Sequence, residues 1–191
     1  MTFTKATKKQ SKLRLAMIGI SGSGKTFTAL SIARHLGQRV ALIDTERGSA
    51  SKYSGSKGFD FDVVELDLFS PERYISAIKE AIKANYDVLI IDSLSHAWAG
   101  KGGILEFVDN KKAASNSKDG FNAWRFATPL HNELVDTIIS APLHVLVTLR
   151  AKAEYSIDKD EKGKTVIRKI GMQPVQRDGL EYEFDVVADL D

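Results

Sequence analysis

Eight residues near the start of the chain carry the clearest chemistry. Gly19-Ile20-Ser21-Gly22-Ser23-Gly24-Lys25-Thr26 fits the pattern G-x-x-x-x-G-K-[ST], followed by Phe27. Glycines at 19, 22 and 24 let a backbone wrap a phosphate chain with its N–H groups turned inward. A helix beginning at Lys25 adds its positive end. In such a loop the lysine reaches the β- and γ-phosphates and the hydroxyl of Thr26 ligates Mg²⁺. The nucleotide-binding set is therefore Gly19, Ser21, Gly22, Ser23, Gly24, Lys25, Thr26 and Phe27. A Gly/Ser turn ahead of a helix is the bland alternative, and the apolar strand leading into the loop argues against it.

A phosphate loop of this kind needs a carboxylate at the end of another buried strand to hold the metal. Asp92 follows Asp87-Val88-Leu89-Ile90-Ile91, and four apolar residues closed by an acid place that acid at a site. Thr26 and Asp92 are the expected metal positions. Capping of the turn Ser93-Leu94-Ser95 is the structural alternative for Asp92. A second acidic strand end, Asp44-Thr45-Glu46, follows Val40–Ile43.

The elements that must position these residues follow from periodicity. Short apolar runs alternate with helical stretches, the sign of an α/β domain. Strands are expected at 13–18, 40–43, 61–66, 87–91, 143–149 and 186–190. Helices are expected over 25–36, with Gly37 as stop, and from Ser70-Pro71-Glu72 onward, with Tyr74, Ile75, Ile78 and Ile82 inward. A helical and loop region spans 97–142, with a polar, mobile stretch at 113–120. Residues 153–158 and 165–170 read as hairpin arms, and 176–184 as a short helix. No repeat or linker divides the chain. The expected domains are a flexible basic tail over 1–12 and one ATPase-type domain over 13–191, truncated at its C-terminal end because the chain stops directly after a strand.

Leu42-Ile43-Asp44-Thr45-Glu46 after a P-loop helix resembles the corresponding strand of RecA-like recombinases and related hexameric ATPases. The resemblance implies a three-layer RecA-like P-loop core, with a mostly parallel sheet and a β-hairpin insertion. It implies that Glu46 polarises the attacking water, alongside Lys25 and Asp92 as catalytic residues; a surface pair with Arg47 is the alternative for Glu46. It also sets the 143–149 strand between those ending in Gly19 and Asp92, with Thr148 or Arg150 as a sensor of the γ-phosphate. Gly19–Thr26, Ile43–Glu46, Ile90–Ser95 and Gly179-Leu180-Glu181-Tyr182-Glu183-Phe184 together resemble phage-encoded AAA/RecA-core ATPases linked to single-strand annealing and recombination. That likeness implies ATP and Mg²⁺ as cofactors, a ring or filament of like subunits, single-stranded DNA and a single-strand-binding protein as partners, and a cytoplasmic place in phage-infected or bacterial cells.

Charge tests the DNA expectation only weakly. The 191 residues hold 27 basic and 25 acidic side chains. Residues 1–14 carry Lys5, Lys8, Lys9, Lys12 and Arg14 without an acid, leaving 22 basic against 25 acidic in the rest. A tail thus accounts for the basic balance. Local surpluses remain in 99–120 (Lys101, Lys111, Lys112) and in 150–169 (Lys152, Lys164, Arg168, Lys169), which are the expected DNA contacts or contacts in trans to a neighbour's ATP. Trp98, Phe107, Trp124 and Tyr155 lie nearby for base stacking. No cysteine excludes a disulfide framework or thiol nucleophile, and no apolar run approaches a membrane span.

Three other nucleotide chemistries use a phosphate loop of this kind. A guanine-reading N/T-K-x-D element is missing after the 143–149 strand, where Thr148-Leu149-Arg150-Ala151 stands, so a GTPase is excluded. A small-molecule or nucleoside kinase, and a nucleotide-binding module with little hydrolysis, stay open on the residues alone.

Overall fold

The computed structural model describes residue 5 and residues 11–55, 58–114, 121–159 and 165–191. Seven strands form one sheet: β1 (Arg14–Gly19), β2 (Val40–Asp44), β3 (Asp62–Glu65), β4 (Val88–Asp92), β5 (His144–Lys159), β6 (Thr165–Pro174) and β7 (Val186–Leu190). The order across the sheet is β3-β2-β4-β5-β1-β7, all parallel, with β6 antiparallel on β5. β5 therefore lies between β4 and β1, as the RecA-like likeness implies.

β1, β2 and β4 are buried at every position and mostly apolar, because both faces are covered. Leu15, Met17, Leu42, Val88, Ile90 and Leu146 point to one side, where α1 (Lys25–Leu36) packs Ala29, Leu30 and Ala33 on them. Ala16, Ile18, Leu89, Ile91, Val145 and Val147 point to the other. There α2 (Pro71–Lys83) brings Tyr74, Ile75 and Ile78, and α5 (Phe121–Ser140) brings Leu134 and Ile138. This is the three-layer α/β core expected from the alternation of elements. A short α3 (Ser95–Ala99) and α4 (Ile104–Ala114) lead from β4 to α5. Trp98, Phe107 and Trp124 pack around Ile104, Val108 and Ala127 in a smaller cluster.

Several expectations shift in detail. Ser70 sits at the N-cap of α2 in extended conformation, without a side-chain cap bond, and Pro71 supplies the helix start. Ala81 is buried where Ile82 was expected and Ile82 only half so. The segment 176–184 holds one 3₁₀ turn, Leu180–Glu183. β5 runs unbroken from the sheet into the hairpin, so sheet and hairpin share a strand. Arg14 belongs with the core rather than with the basic tail. It opens β1, is 7% exposed, and its guanidinium donates to the carbonyls of Leu13, Ile139, Ala141 and Leu143. Among the described residues no helix is long and apolar enough to cross a membrane.

Candidate active site

β1, β2 and β4 end on the same side of the sheet, where β5 passes on into the hairpin, and residues at or just beyond these points line one cleft. In a parallel sheet this is where ligands bind, at the carboxyl ends of strands. The cleft encloses about 560 Å³ between Ser21, Gly22, Gly24, Lys25, Thr26, Glu46, Ser49, Tyr53, Asp92, Arg150 and Ala151.

The loop between β1 and α1 owes its path to its glycines. Gly22 and Gly24 adopt φ of 87° and 84°, a left-handed conformation that side chains rarely tolerate. A Cβ at Gly19 would collide with Ser23 Oγ and with the carbonyl of Leu190. The lysine folds back on this loop, with Nζ donating to the carbonyls of Gly19 (3.0 Å) and Ile20 (2.6 Å). Burial lowers the Lys25 pKa, opposed by the nearby carboxylates of Asp92 and Glu46. Ser23 Oγ is a buried side-chain oxygen without a hydrogen-bond partner among the described residues.

Asp92 is 3% exposed at the end of β4. Thr26 Oγ1 donates to its Oδ2 at 2.6 Å and Thr148 Oγ1 to its Oδ1 at 2.5 Å. Burial raises the carboxyl's pKa, with the two threonine bonds acting against that rise. A hydroxyl and a carboxylate side by side are the hard oxygen donors that Mg²⁺ takes, with phosphate and water completing its shell. The donor set therefore fits the metal. Among the described residues there is no cluster of three or more His, Asp or Glu that could hold a cation by itself.

Glu46 is held by the turn that follows β2. Asp44 accepts the N–H of Glu46 at 2.6 Å and that of Ala50 at 3.2 Å, so it shapes the turn. Arg47 and Gly48 continue with positive φ. The carboxylate of Glu46 pairs with Arg150, not with Arg47: Nε donates at 2.8 Å and the second nitrogen at 2.5 Å. Thr45 Oγ1 binds the carbonyls of Asp92 and Ser93 and meets His96 Nδ1 at 2.7 Å, which ties β2 to the loop after β4. His96 thus serves that loop.

Of the residues the sequence singles out, Ser21, Gly22, Gly24, Lys25, Thr26, Glu46, Asp92 and Arg150 line one cleft. Gly19 and Ser23 lie against each other beneath the loop, and Thr148 reaches the site through Asp92. Phe27 packs edge-on to Phe59 at 5.5 Å and tilted to Tyr53 at 6.1 Å. Tyr53, which no sequence motif marks, brings an aromatic ring to the cleft wall. Its signal was weak, a lone aromatic seven residues past Glu46 in a polar stretch. Lys101 and α4's Lys111 and Lys112 are exposed and apart from the cleft lining, and Lys152 is exposed at the root of the hairpin. Lys164 lies outside the described residues; Arg168 and Lys169 stand on β6, their side chains likewise outside the description.

Comparison with known proteins follows the same line. A family model described as an AAA domain matches residues 11–191. UvrABC system protein B of Thermosipho africanus is 32% identical over 79 residues, which is 38% of this chain and 12% of that protein. An iron-containing alcohol dehydrogenase from Corynebacterium glutamicum superposes with a TM-score of 0.38 at 11% identity, over 98% of this chain and 42% of that one. The chain spans less than half the length of either. A likeness at that TM-score carries no argument, whereas the family model covers nearly the whole chain. The chain belongs to the AAA domain family, and its core is that of a nucleotide-binding P-loop ATPase.

Proposed function

We propose that the protein hydrolyses Mg-ATP and works on single-stranded DNA in recombination or strand annealing, as the phage-type ATPases it resembles do. The observation that carries the ATPase half is the convergence of Lys25, Thr26, Glu46, Asp92 and Arg150 on one cleft of about 560 Å³, a volume suited to a nucleotide.

In this reading the loop's N–H groups and the start of α1 bind the phosphates, and Lys25 leaves its own loop carbonyls to neutralise them. Mg²⁺, held by Thr26 and Asp92, would offset charge on the β- and γ-phosphate oxygens. Glu46 accepts the proton of the attacking water, and Thr148 fixes the rotamer of Asp92. Tyr53 offers a ring on which the base stacks.

The DNA half rests on the resemblance and on surface chemistry. Lys111 lies 5.5 Å from the ring of Phe107 and 5.6 Å from that of Phe126, and Phe126 is 58% exposed. A cation beside an exposed aromatic ring suits a stacked base and its phosphate. Lys101, Lys112, Lys152, Lys164, Arg168 and Lys169 would extend that path or reach a neighbour's nucleotide in a ring or filament. A single-strand-binding protein as partner and a cytoplasmic setting complete the reading.

Turnover measured with and without single-stranded DNA tests it. ATP hydrolysis rises with DNA, and Lys25→Ala and Glu46→Gln each lower it by at least about 100-fold. Turnover indifferent to DNA but raised by a nucleoside acceptor would replace this reading with a kinase.

A further inference from the structure

One buried glutamine stands behind the cleft, outside its lining. Gln176 comes just after β6, which ends at Pro174, where the hairpin returns to the sheet, and it is 7% exposed. Its Nε2 donates to the carbonyl of Leu94 at 3.2 Å, and its Oε1 accepts the N–H of Arg177 at 2.9 Å. Backbone thus fixes which end of the amide points where, so the His131 Nε2 that faces Oε1 at 3.3 Å must be the donor. Burial lowers the pKa of His131, in keeping with a neutral ring that carries its proton there.

The bond to Leu94 is the informative one. That carbonyl already accepts the N–H of Ala97 at 3.1 Å, in the turn that opens α3. Gln176 is therefore not needed to satisfy a buried acceptor, and what it adds is a position. The N–H of Leu94 donates to the carbonyl of Thr148 at 3.0 Å, and Thr148 Oγ1 bonds Asp92. The next residue, Ser95, accepts the N–H of Arg150 on its Oγ at 2.9 Å. Val175, just before Gln176, donates to the carbonyl of Arg150 at 2.7 Å. The hairpin's return thus grips both parts that carry the site: β5 through a backbone bond, and the loop after β4 through the amide of Gln176.

Resting on the hydrolysis reading above, we propose that Gln176 is a positioning residue for that reaction: it locks the loop after β4 to the hairpin's return, so that Asp92 and Arg150 keep the places from which they act, while it touches no nucleotide itself. A bond that only holds reacting groups in register governs rate more than affinity, because small misplacements cost far more in the transition state than in the bound ground state. Losing it therefore costs turnover and spares binding.

Two variants and a control read this. Gln176→Met keeps the length and drops every hydrogen bond of the amide; Gln176→Glu keeps an acceptor for Arg177 and drops the donor to Leu94. Gln173→Met, on the same return, removes only an exposed bond to Asp178 and serves as control. Turnover of Mg-ATP, calorimetric affinity for a non-hydrolysable triphosphate analogue with Mg²⁺, and hydrogen exchange are measured below the melting transition of each variant. Both Gln176 variants lower kcat by about tenfold and leave analogue affinity within about threefold. The amides of Leu94 and Ala97 exchange about tenfold faster in both, and those of the phosphate loop do not. Gln173→Met matches wild type throughout. If kcat is unchanged, or falls in only one of the two variants, loss of the shared donor is not the cause and the proposal is overturned. It is overturned as well if turnover and affinity fall together, or if Gln173→Met acts like the others, since a general loosening then suffices. A wild type that binds the analogue but hydrolyses no ATP overturns the hydrolysis reading, and this proposal with it.

Discussion

The two ends of the central sheet each bury a charged side chain, Arg14 at one and Asp92 at the other, and use their polar groups in opposite ways. At the N-terminal end, charges meet backbone. Arg14 donates to four carbonyls, from the residue before β1, the end of α5 and the segment between α5 and β5. Asp87 accepts the N–H groups of Gln38 and Arg39 at 2.9 Å each, and these bonds hold its carboxyl below the ordinary range. Leu13 donates to His144 Nδ1, and Arg14 to Asp185. At the C-terminal end, side chains meet side chains. Asp92 accepts from Thr26 and Thr148, with no cation within ion-pairing distance among the described residues, beside an open cleft. A buried charge settled by fixed backbone closes a fold. A buried charge settled only by two hydroxyls is costly, which supports the proposal that Asp92 is kept for an external cation.

The largest test of this contrast removes the lower clamp. Arg14→Ala leaves the carbonyls of Ile139, Ala141 and Leu143 without their donor. The loss is about 3 kcal/mol, or roughly 10 °C in melting temperature for a domain of this size. Nucleotide affinity, measured below the transition, stays at the wild-type value. An affinity that drops together with stability would show that the two ends are one mechanical unit.

A smaller and opposite effect is expected at the upper end. Asp92→Asn keeps the shape, accepts from one threonine and donates to the other once that hydroxyl turns, and removes a carboxylate that burial disfavours. The nucleotide-free protein then gains about 1 kcal/mol, seen as a melt higher by about 3 °C. The further rise that Mg²⁺ and nucleotide give the wild type disappears. A variant that melts lower would make the upper cluster structural, like the lower one.

How far the sequence reveals each end follows from the same difference. Chemistry at the upper end is local. The run Gly19 to Thr26 and the acids closing β2 and β4 announce themselves because glycines, a lysine and strand-ending carboxylates have few other reasons for that spacing. The burial of both faces likewise follows from the four-residue apolar runs of β1, β2 and β4, whereas the place of β5 between β4 and β1 follows only from the family resemblance. Arg14 escapes such reading. Its partners are backbone carbonyls more than 120 residues away, and a carbonyl has no letter in a sequence. Counted beside Lys5, Lys8, Lys9 and Lys12, it reads as one more charge in a tail. The Glu46–Arg150 pair escapes for a related reason. Each residue is visible as a site residue, yet the bond spans 104 positions, and the nearer Arg47 offers itself first. Tyr53 has no motif to mark it, since any exposed-looking aromatic in a polar stretch reads the same.

The smallest expected effect tests whether the lower end depends on its charge state. Burial is the main cause that lowers the pKa of His144 from 6.5, with Lys12 and Arg14 adding to it and Asp87 opposing. A base whose pKa is depressed by folding stabilises the protein fully above its ordinary value. That contribution drains away as the pH falls through the folded-state value. Protonation would also take from Nδ1 the lone pair that accepts the Leu13 N–H. His144→Asn offers a carbonyl oxygen in place of that nitrogen and does not titrate. Urea unfolding between pH 7.5 and pH 5 should give the variant a shallower loss of stability than the wild type, on the order of 1 °C when followed as a melt. Nucleotide affinity at the candidate cleft stays at the wild-type value in the variant, because the hydrogen bonds of that cleft close on the other end of the sheet. Parallel pH curves for variant and wild type would mean that acid acts elsewhere, and His131 is then the first alternative. It is 6% exposed, its pKa is lowered mainly by burial, and its imidazole faces Gln176 and Arg177 next to the loop that follows β4.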